Sequence, residues 1–373
     1  MGHILTEIEK AHWVAFTKVR GIGPVRFERL HNYFGSAHIA WNASTFQLEK
    51  AGLGEKIIQA MTECRSKIDV MQLYDSIVKN GIKVISSAEL EYPKRLLEIN
   101  YPPFILFLRG ILKEEDQKAV AVVGTRQKTS YGRQIAIDLC DFLVGNNITI
   151  ISGMARGVDS IAHQAALDAG GRTLAVLGCG VDIIYPPENR KLMDLIIENG
   201  AIISEYSPGT QPDAVNFPPR NRIISGLSLA TVIIEAGVKS GALITAAFAA
   251  DQGREVFAVP GAIYSPRSKG TNRLIQDGAR PLINFDEILE VLNIYKLDSY
   301  SRAQKTFPAN DTEEIIIHSL SNEPMHIDDI QSQTGIPIEK VSASLVMLEL
   351  KGMVRQVSNM TYSAIQEEEE NYG

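Results

Sequence analysis

The stretch Ala119-Val-Ala-Val-Val-Gly-Thr-Arg126 decides the fold class of this 373-residue chain. A run of small and β-branched residues without a charge is typical of a strand buried on both faces of a sheet. Five further apolar runs follow, with helical patterns between them: residues 148–151, 173–177, 201–204, 229–234 and 256–259. This alternation predicts an α/β fold built on a doubly wound, mainly parallel sheet, which binds ligands at the carboxyl ends of its strands.

The segments before this pattern predict other structures. Residues 82–118 contain Tyr92-Pro93 and Tyr101-Pro102-Pro103, so we expect an entry segment packed at the sheet edge rather than a central strand. Residues 1–81 predict short helices, with Gly21-Ile-Gly23 in a turn between two of them. This turn resembles a helix-hairpin-helix (SAM-like) module, which commonly grips the DNA backbone. Plain helix caps explain the same glycines, and both interpretations stay open.

The segments after the sheet pattern predict a second folded module. We place the doubly wound core at residues 82–290 and a polar linker at 291–310. Asp311-Thr-Glu-Glu314 has the spacing of a capping box at a helix start. Two more helical stretches and two short strands then predict a winged helix over residues 311–365. Residues 366–373 form an acidic tail that we expect to be solvated.

The formal net charge of −7 argues at first sight against a nucleic-acid partner, since binding to phosphates needs surplus lysine and arginine. The charge is uneven along the chain. Residues 1–118 hold 16 basic and 14 acidic side chains, and residues 119–280 hold 15 and 14. Residues 281–373 hold 6 basic and 16 acidic side chains, so the acidity belongs to the C-terminal part and leaves the sheet region free to bind an anion.

Composition and cysteine usage exclude several classes of protein. Hydrophobic residues make up 45% of the chain and charged residues 22%, as in a globular protein rather than a disordered one. The three cysteines are far apart in apolar stretches, which predicts neither a metal site nor a disulfide framework. Glu235 and Lys239 interrupt the most apolar stretch, so we expect no membrane span and a cytoplasmic protein.

The loops that follow the strands carry the candidate binding groups. Gly124-Thr125-Arg126 precedes a helix start, where backbone amides, hydroxyls and a guanidinium suit a phosphate. The loop matches neither the dinucleotide fingerprint nor the P-loop, so we expect no cofactor. In the next loop, Ser152 to Asp159, Arg156 fits either a phosphate contact or an internal partner of an acidic group, and we favour the phosphate. We expect Asp159 to cap the following helix. His163 fits a packed or surface histidine better than a catalytic one.

Later loops add a stacking surface and further donors. Phe217 offers a face for a base, and Arg220 and Arg222 flank the amide of Asn221. Ser240 and Gly241 precede another helix, whose amides suit an anion. The remaining basic candidates at helix starts are Lys191 and Lys269. A solvated helix face explains Lys191 as well as a bound anion does, and both interpretations stay open. Gathered at one sheet edge, these loops predict a polar, basic groove.

Seven motifs in this order resemble the DprA (Smf) family over about residues 82–282. They are GTR at 124–126, SGMARGVD at 152–159, YPPEN at 185–189, FPPRNRIISGLS at 217–228, IEAGVKSGALITA at 234–246, FAVPG at 257–261 and KGTNRLIQDGA at 269–279. The resemblance implies an extended Rossmann-like core without catalytic turnover that acts as a homodimer. It implies a protein of natural transformation that protects incoming single-stranded DNA and helps to load a RecA-type recombinase.

By position in these motifs, the resemblance implies that the single strand and its phosphates contact one set of residues. They are Gly124, Thr125, Arg126, Ser152, Gly153, Arg156, Lys191, Phe217, Arg220, Asn221, Arg222, Ser240, Gly241 and Lys269. Arg126 and Lys191 are the principal candidates. The winged helix departs from a DNA reader, because its third helical stretch carries Lys340 and Lys351 against Glu339 and Glu349. We therefore expect that module to contact protein.

A hydrolase is the alternative from another class of function. A related superfamily with this core cleaves N-glycosidic bonds of nucleotides, using a glutamate after a strand and a nearby arginine. Glu235 with Arg126 or Arg156 would supply those groups here, since a carboxylate stabilises an oxocarbenium-like centre. The sequence around Glu235 departs from the glycine-rich loop expected of that superfamily.

Overall fold

The computed structural model describes residues 5–292, 311–320, 324–350, 354–358 and 360–364. The chain divides into two compact units, residues 1–285 and 286–373. The predicted linker at 291–310 and the predicted acidic tail at 366–373 lie almost wholly outside the described residues.

The first unit is built on a nine-stranded sheet of order β1-β2-β6-β5-β4-β3-β7-β8-β9. Its strands are β1 Lys83–Ser86, β2 Ile105–Gly110, β3 Ala119–Val123, β4 Thr149–Ser152, β5 Thr173–Val176, β6 Ala201–Ser204, β7 Ala230–Ile233, β8 Glu255–Ala258 and β9 Arg280–Pro281. All pairings from β6 across to β9 are parallel. The six strands predicted from apolar runs are confirmed, each within a residue or so of its predicted bounds.

The strand order reverses beside β3. The chain builds from β3 through β4 and β5 to β6 in one direction, and then returns to place β7 on the other side of β3. Loops that leave β3 and β7 turn away from each other at such a reversal and open a crevice at the carboxyl ends of the strands. The crevice between the β3 and β7 loops is therefore the expected ligand site of this sheet.

The entry segment, residues 82–118, lies at the sheet edge as predicted, but it also extends the sheet. β1 pairs antiparallel with β2, and β2 pairs antiparallel with β6. The prolines at 93, 102 and 103 all fall in the connection between the two strands, where no ladder hydrogen bond is lost. The proline signal therefore marks the connection and not the strands.

Helices cover both faces of the sheet. In the first unit they are α1 Glu7–Phe16, α2 Pro24–Phe34, α3 Ala37–Asn42, α4 Thr45–Lys50, α5 Glu55–Lys67, α6 Val70–Lys79, α7 Lys94–Leu97, α8 Ser130–Gly145, α9 Val158–Asp168, α10 Arg190–Asn199, α11 Phe217–Gly226, α12 Ala242–Asp251 and α13 Lys269–Gln276. Neighbouring residues of β5 enter different apolar clusters: Ala175 packs with α10, and Leu174 and Val176 pack with α11 and α12. This alternation explains the continuous apolar runs, because both faces of each central strand are buried.

The N-terminal helices and the sheet share one apolar core. Trp13 and Phe27 belong to the cluster that continues into β5 and β6, and the ring of Phe27 stacks on that of Phe104 at 4.0 Å. The predicted glycine turn lies between α1 and α2, where Gly21 takes a φ of 91° and Gly23 precedes Pro24 at the start of α2. The module boundary at residue 81 stays a prediction.

The second unit contains a winged helix. Its elements are α14 Asp286–Val291, α15 Asp311–Ser319, β10 Met325–His326, α16 Ile327–Thr334, α17 Ile338–Leu350, β11 Val354–Ser358 and β12 Thr361–Ala364. The three strands form a small sheet of order β10-β12-β11, and Ile316, Ile330 and Leu345 form the centre of its core. Searched over the described residues of both units, the chain has no helix long and apolar enough to cross a membrane.

Candidate nucleic-acid interface

A cleft of about 850 Å³ opens where the strand order reverses. The β3–α8 loop forms one wall through Gly124, Thr125 and Arg126, and the start of α12 forms the other through Ser240 and Gly241. Lys239 lies on the rim beside them and is exposed. The fold thus brings together two loops that are more than 100 residues apart in sequence; we call this space the switch-point cleft.

The start of α8 is already capped by the protein. The Thr129 hydroxyl accepts from the amide of Gly132 at 3.0 Å and donates to a carboxylate oxygen of Glu235 at 2.6 Å. The other oxygen of Glu235 accepts from the Thr129 amide at 2.9 Å. A buried carboxylate therefore occupies the position where the sequence predicted a bound phosphate. Arg126 in the same loop is exposed.

The loop after β4 is also ordered from within. Asp159 lies in the first turn of α9 and accepts from the Ala155 amide at 3.4 Å. Its role is to order the preceding loop, whereas Gly157 is the residue that caps α9. Burial raises the pKa of Asp159 to about 6, although the charge of Arg220 and the loop amides act in the opposite direction. Gly157, at φ 88°, lies so close to the Thr125 carbonyl that a side chain there would collide with it.

The two arginines of the FPPRNR motif are part of the interior. The motif forms the first turns of α11, and Arg220 is only 4% exposed. Arg220 donates to the carbonyl oxygens of Gly153 (2.9 Å) and Val176. Arg222 donates to both carboxylate oxygens of Glu205 at 3.1 and 2.7 Å. Neither guanidinium is free to meet a phosphate, so we exclude Arg220 and Arg222 from the proposed interface.

Other predicted contacts are also buried. Ser152 is fully buried, and its hydroxyl donates to the Val122 carbonyl at 2.7 Å. Gly153 is buried beneath Arg220, and Asn221, 9% exposed, donates to the Gly241 carbonyl at 3.3 Å. These three residues shape the floor of the site rather than offering groups to a ligand.

An aromatic pair flanks Arg126. The rings of Phe217 and Tyr185 lie 5.5 Å apart at 30°, and the Arg126 guanidinium carbon is 6.0 Å from the centre of the Phe217 ring. Both rings are partly exposed and line the switch-point cleft. Phe217 also packs against Gly178, where any side chain would clash with the ring. The site therefore combines a cation with aromatic surface, the combination that holds unstacked bases.

The basic candidates differ in their electrostatic state. Arg156 is exposed and forms a two-pronged ion pair with Glu188, which raises the pKa of the arginine. Lys191 and Lys269 are exposed at the first turns of α10 and α13. Within the described part of the chain, Arg126, Lys191 and Lys269 form no ion pair. Lys191 and Lys269 do not line the switch-point cleft.

Three basic residues near Arg126 were missing from the sequence-based set. Lys128 and Arg133 lie on the solvent side of the start of α8, and Lys239 lies on the opposite rim. Each is exposed, and none forms an ion pair with another described residue. Spacing to the strand end would have found Lys128, because it lies two residues after Arg126 in the same loop. Arg133 could be recognised as a candidate only from the position of α8 in the structure.

His163 is a packed histidine. It is fully buried, and its Nδ1 lies 2.6 Å from the Thr173 hydroxyl, which itself donates to the Ile150 carbonyl. Burial, together with the smaller effect of the nearby positive charge of Arg220, lowers the pKa of His163 to about 3. The prediction of a non-catalytic histidine is consistent with this geometry.

Fold and site together define a doubly wound α/β protein with a basic, aromatic crevice at its strand-order reversal. Comparison with known proteins identifies the family. Residues 83–293 match the model of DNA recombination-mediator protein A, and residues 301–360 match that of the DprA winged helix domain. The chain belongs to the DprA/Smf family, several of whose members are named DNA processing proteins.

Relatives match over most of their length. Protein Smf of a Synechocystis strain is 34% identical over 391 residues, covering 95% of this chain and 98% of the relative. DNA processing protein DprA of Streptococcus pneumoniae is 42% identical over 274 residues, covering 66% of this chain and 97% of the relative.

Two solved structures are similar as well. The X-ray structure of DprA from S. pneumoniae superposes with a TM-score of 0.67 at 32% identity, over 77% of this chain and 98% of that one. DNA processing protein A of Helicobacter pylori, described for its single-stranded DNA binding mode, superposes with a TM-score of 0.52 at 33% identity. That match covers 58% of this chain and 96% of the H. pylori chain.

Proposed function

We propose that this protein binds single-stranded DNA in the switch-point cleft. Arg126 is the central contact, because it is exposed, unpaired among the described residues and adjacent to the Phe217 ring. Lys239 on the opposite rim supplies a second cation, and Ser240 and Gly241 line the cleft beside it, just before α12. Phosphates would lie between the two rims, with a base against the aromatic pair. The single-stranded DNA binding mode described for the H. pylori relative supports the choice of ligand.

The observation that carries this proposal is that cations without an ion-pair partner line one cleft together with an aromatic pair. Arg172, Arg222 and Arg254, which lie away from the cleft, are held by carboxylates. Arg126 and Lys239, which line it, have no such partner within the described part of the chain. Unpaired cations on one edge repel each other, and a polyanion relieves that repulsion while it releases counterions.

The wider role belongs to the same proposal. We propose that the protein serves natural transformation in the cytoplasm, protects the incoming strand as a homodimer, and helps to load a RecA-type recombinase. The description of the family as recombination mediators supports the recombinase as partner.

The hydrolase alternative gains no support from the position of Glu235. The side chain is 3% exposed, and its two oxygens are bonded to Thr129. It does not line the switch-point cleft. A nucleotide in the cleft would meet Arg126 and Ser240 instead, so we assign Glu235 a role in holding the β3–α8 loop.

Competition between single-stranded and duplex DNA tests the proposed function. A labelled oligonucleotide is bound to the full chain and displaced with unlabelled strands, followed by fluorescence anisotropy. We expect single strands to compete at least tenfold better, because bases in a duplex are stacked and cannot reach Phe217. Arg126→Ala should weaken binding and lower the log–log salt slope by about 0.7, the amount for one lost phosphate contact.

Lys94→Ala is the matched control. Lys94 is exposed and outside the cleft, so its loss removes the same charge without removing a contact. Equal competition by duplex DNA would rule out the stacking arrangement. Equal effects of Arg126→Ala and Lys94→Ala would show that only overall charge matters and would remove the cleft from the proposal.

A further inference from the structure

A second groove begins at Arg126 and runs between α8 and α9. It has a volume of about 770 Å³, and Arg126 and Arg156 line both this groove and spaces at the sheet edge. We call it the helix groove. Because Arg126 also lines the switch-point cleft, the two spaces meet at one side chain. A polymer held in the cleft has a direct way into the groove.

The mouth of the helix groove is cationic. Lys128 and Arg133 join Arg126 there, and none of the three has an ion-pair partner within the described residues. All three side chains are exposed. An arginine and two neighbouring cations at the end of a cleft that holds phosphates extend the path along which further phosphates are stabilised.

The floor and the far end of the groove have a different character. Ile137, Ile161 and Ala165 form an apolar floor between the two helices, and Ala165 is 4% exposed. Asp141 and Asp168 lie at the far end. Phosphates would be repelled by these carboxylates, whereas the flat face of a base fits an apolar floor. The groove therefore has room for one or a few nucleotides, whose phosphates would lie at its mouth. The acidic far end would keep the DNA strand from continuing along the groove.

We propose that the helix groove is a second subsite for single-stranded DNA, which takes the nucleotides that leave the switch-point cleft past Arg126. This proposal rests on the function proposed above and extends it to a second set of residues. Lys128 and Arg133 hold phosphates at the mouth, and the α8–α9 floor receives a base. The acidic far end limits the subsite and turns the strand back to solvent.

Oligonucleotide length separates the two sites. Affinities of the full chain are measured for single strands of about 4 to about 16 nucleotides, the range that single-strand binding modules cover. For the wild type we expect affinity to rise with length until both sites are filled. Lys128→Ala/Arg133→Ala should bind the shortest strands as the wild type does and lose roughly tenfold on the longest, because two charge-assisted contacts are removed.

A double variant elsewhere on the surface provides the control. Lys79→Ala/Lys94→Ala removes two exposed lysines that line neither site, and it should leave the whole length series unchanged. An equal loss at every length, or no loss at any length, for Lys128→Ala/Arg133→Ala would overturn the helix-groove subsite while leaving the cleft intact. If the wild type bound none of the single strands in the series, the proposed function would be overturned, and the subsite with it.

Discussion

The β3–α8 loop and helix α11 each contribute arginines to the same edge of the sheet, but they put them to different uses. Arg126 from the loop is exposed and unpaired among described residues, and it lies where two grooves meet. Arg220 from α11 is buried and donates hydrogen bonds to two carbonyl oxygens at strand ends. The comparison shows that an arginine at the ligand-binding edge of a sheet either stabilises the protein structure there or is available to bind a ligand. The exposure of its side chain distinguishes the two roles.

The largest effect is expected on removing the buried arginine. Arg220→Ala should lower the free energy of unfolding by about 3–5 kcal/mol, because it leaves Asp159 without its counter-charge and two buried carbonyls without a donor. Urea unfolding of the wild type and of Arg220→Ala measures this difference in the free energy of unfolding. If Arg220→Ala instead kept its stability and lost DNA affinity, the distinction between the two regions would fail.

The ion pair of α11 should show a smaller effect. Arg222→Leu should cost about 2–3 kcal/mol, since Glu205 is left largely buried without its partner. Adding Glu205→Leu should restore part of this loss, because no uncompensated charge then remains. The comparison of single and double variants uses the same unfolding measurement. A further loss in the double variant would contradict the interpretation of a buried pair.

The pH dependence of stability tests the interior next to Arg220. The pKa of His163 is about 3, below its unfolded value of 6.5, so the unfolded chain takes up this proton first. The stability due to the neutral ring is therefore present above pH 6.5 and is lost as the pH falls towards 3. Between pH 7.5 and 5 this loss should reach about 2 kcal/mol.

His163→Gln isolates that contribution. The variant keeps a group that can bond Thr173 but does not titrate, so its unfolding free energy should fall about 2 kcal/mol less over the same range. Asp159, whose pKa is raised by burial, acts in the opposite direction in both proteins and cancels in the difference. Identical pH profiles would show that His163 becomes charged without cost in the folded state.

The smallest effect on stability should come from the exposed loop. Arg126→Ala is expected to change the free energy of unfolding by less than about 0.5 kcal/mol, because exposed groups without a partner contribute little. The same variant should change DNA binding most, as described for the salt slope. A large loss of stability in Arg126→Ala would show that Arg126, like Arg220, stabilises the fold.

The sheet could be predicted from the sequence because its strands are buried on both faces, which leaves continuous apolar runs such as 119–123. The fate of Arg220 and Arg222 could not be predicted in this way. We grouped the motif with the loops that follow the strands, but proline fits the first turn of a helix, and the motif begins α11. Once the motif is helical, Arg220 and Asn221 are buried, and Arg222 reaches the carboxylate of Glu205.

The site was predictable in its location and less so in its chemistry. Arg126 follows a strand end, and the reversal of strand order put it at a crevice as expected. The contact between Thr129 and Glu235 joins residues 106 positions apart, and no local pattern reveals that a carboxylate fills the helix start. Lys128 and Arg133 needed the same three-dimensional information, because their value depends on the groove between α8 and α9.

The core shared by the N-terminal helices and the sheet makes the first unit a single cooperative body. Deletion of residues 1–81 would remove the stack of Phe27 on Phe104 and expose a large apolar area of the sheet to water. Binding free energy gained at the sheet edge is therefore shared by every element that unfolds with it. Amide hydrogen exchange in α1 and α2 should slow when a strand occupies the cleft, although neither helix contacts the cleft.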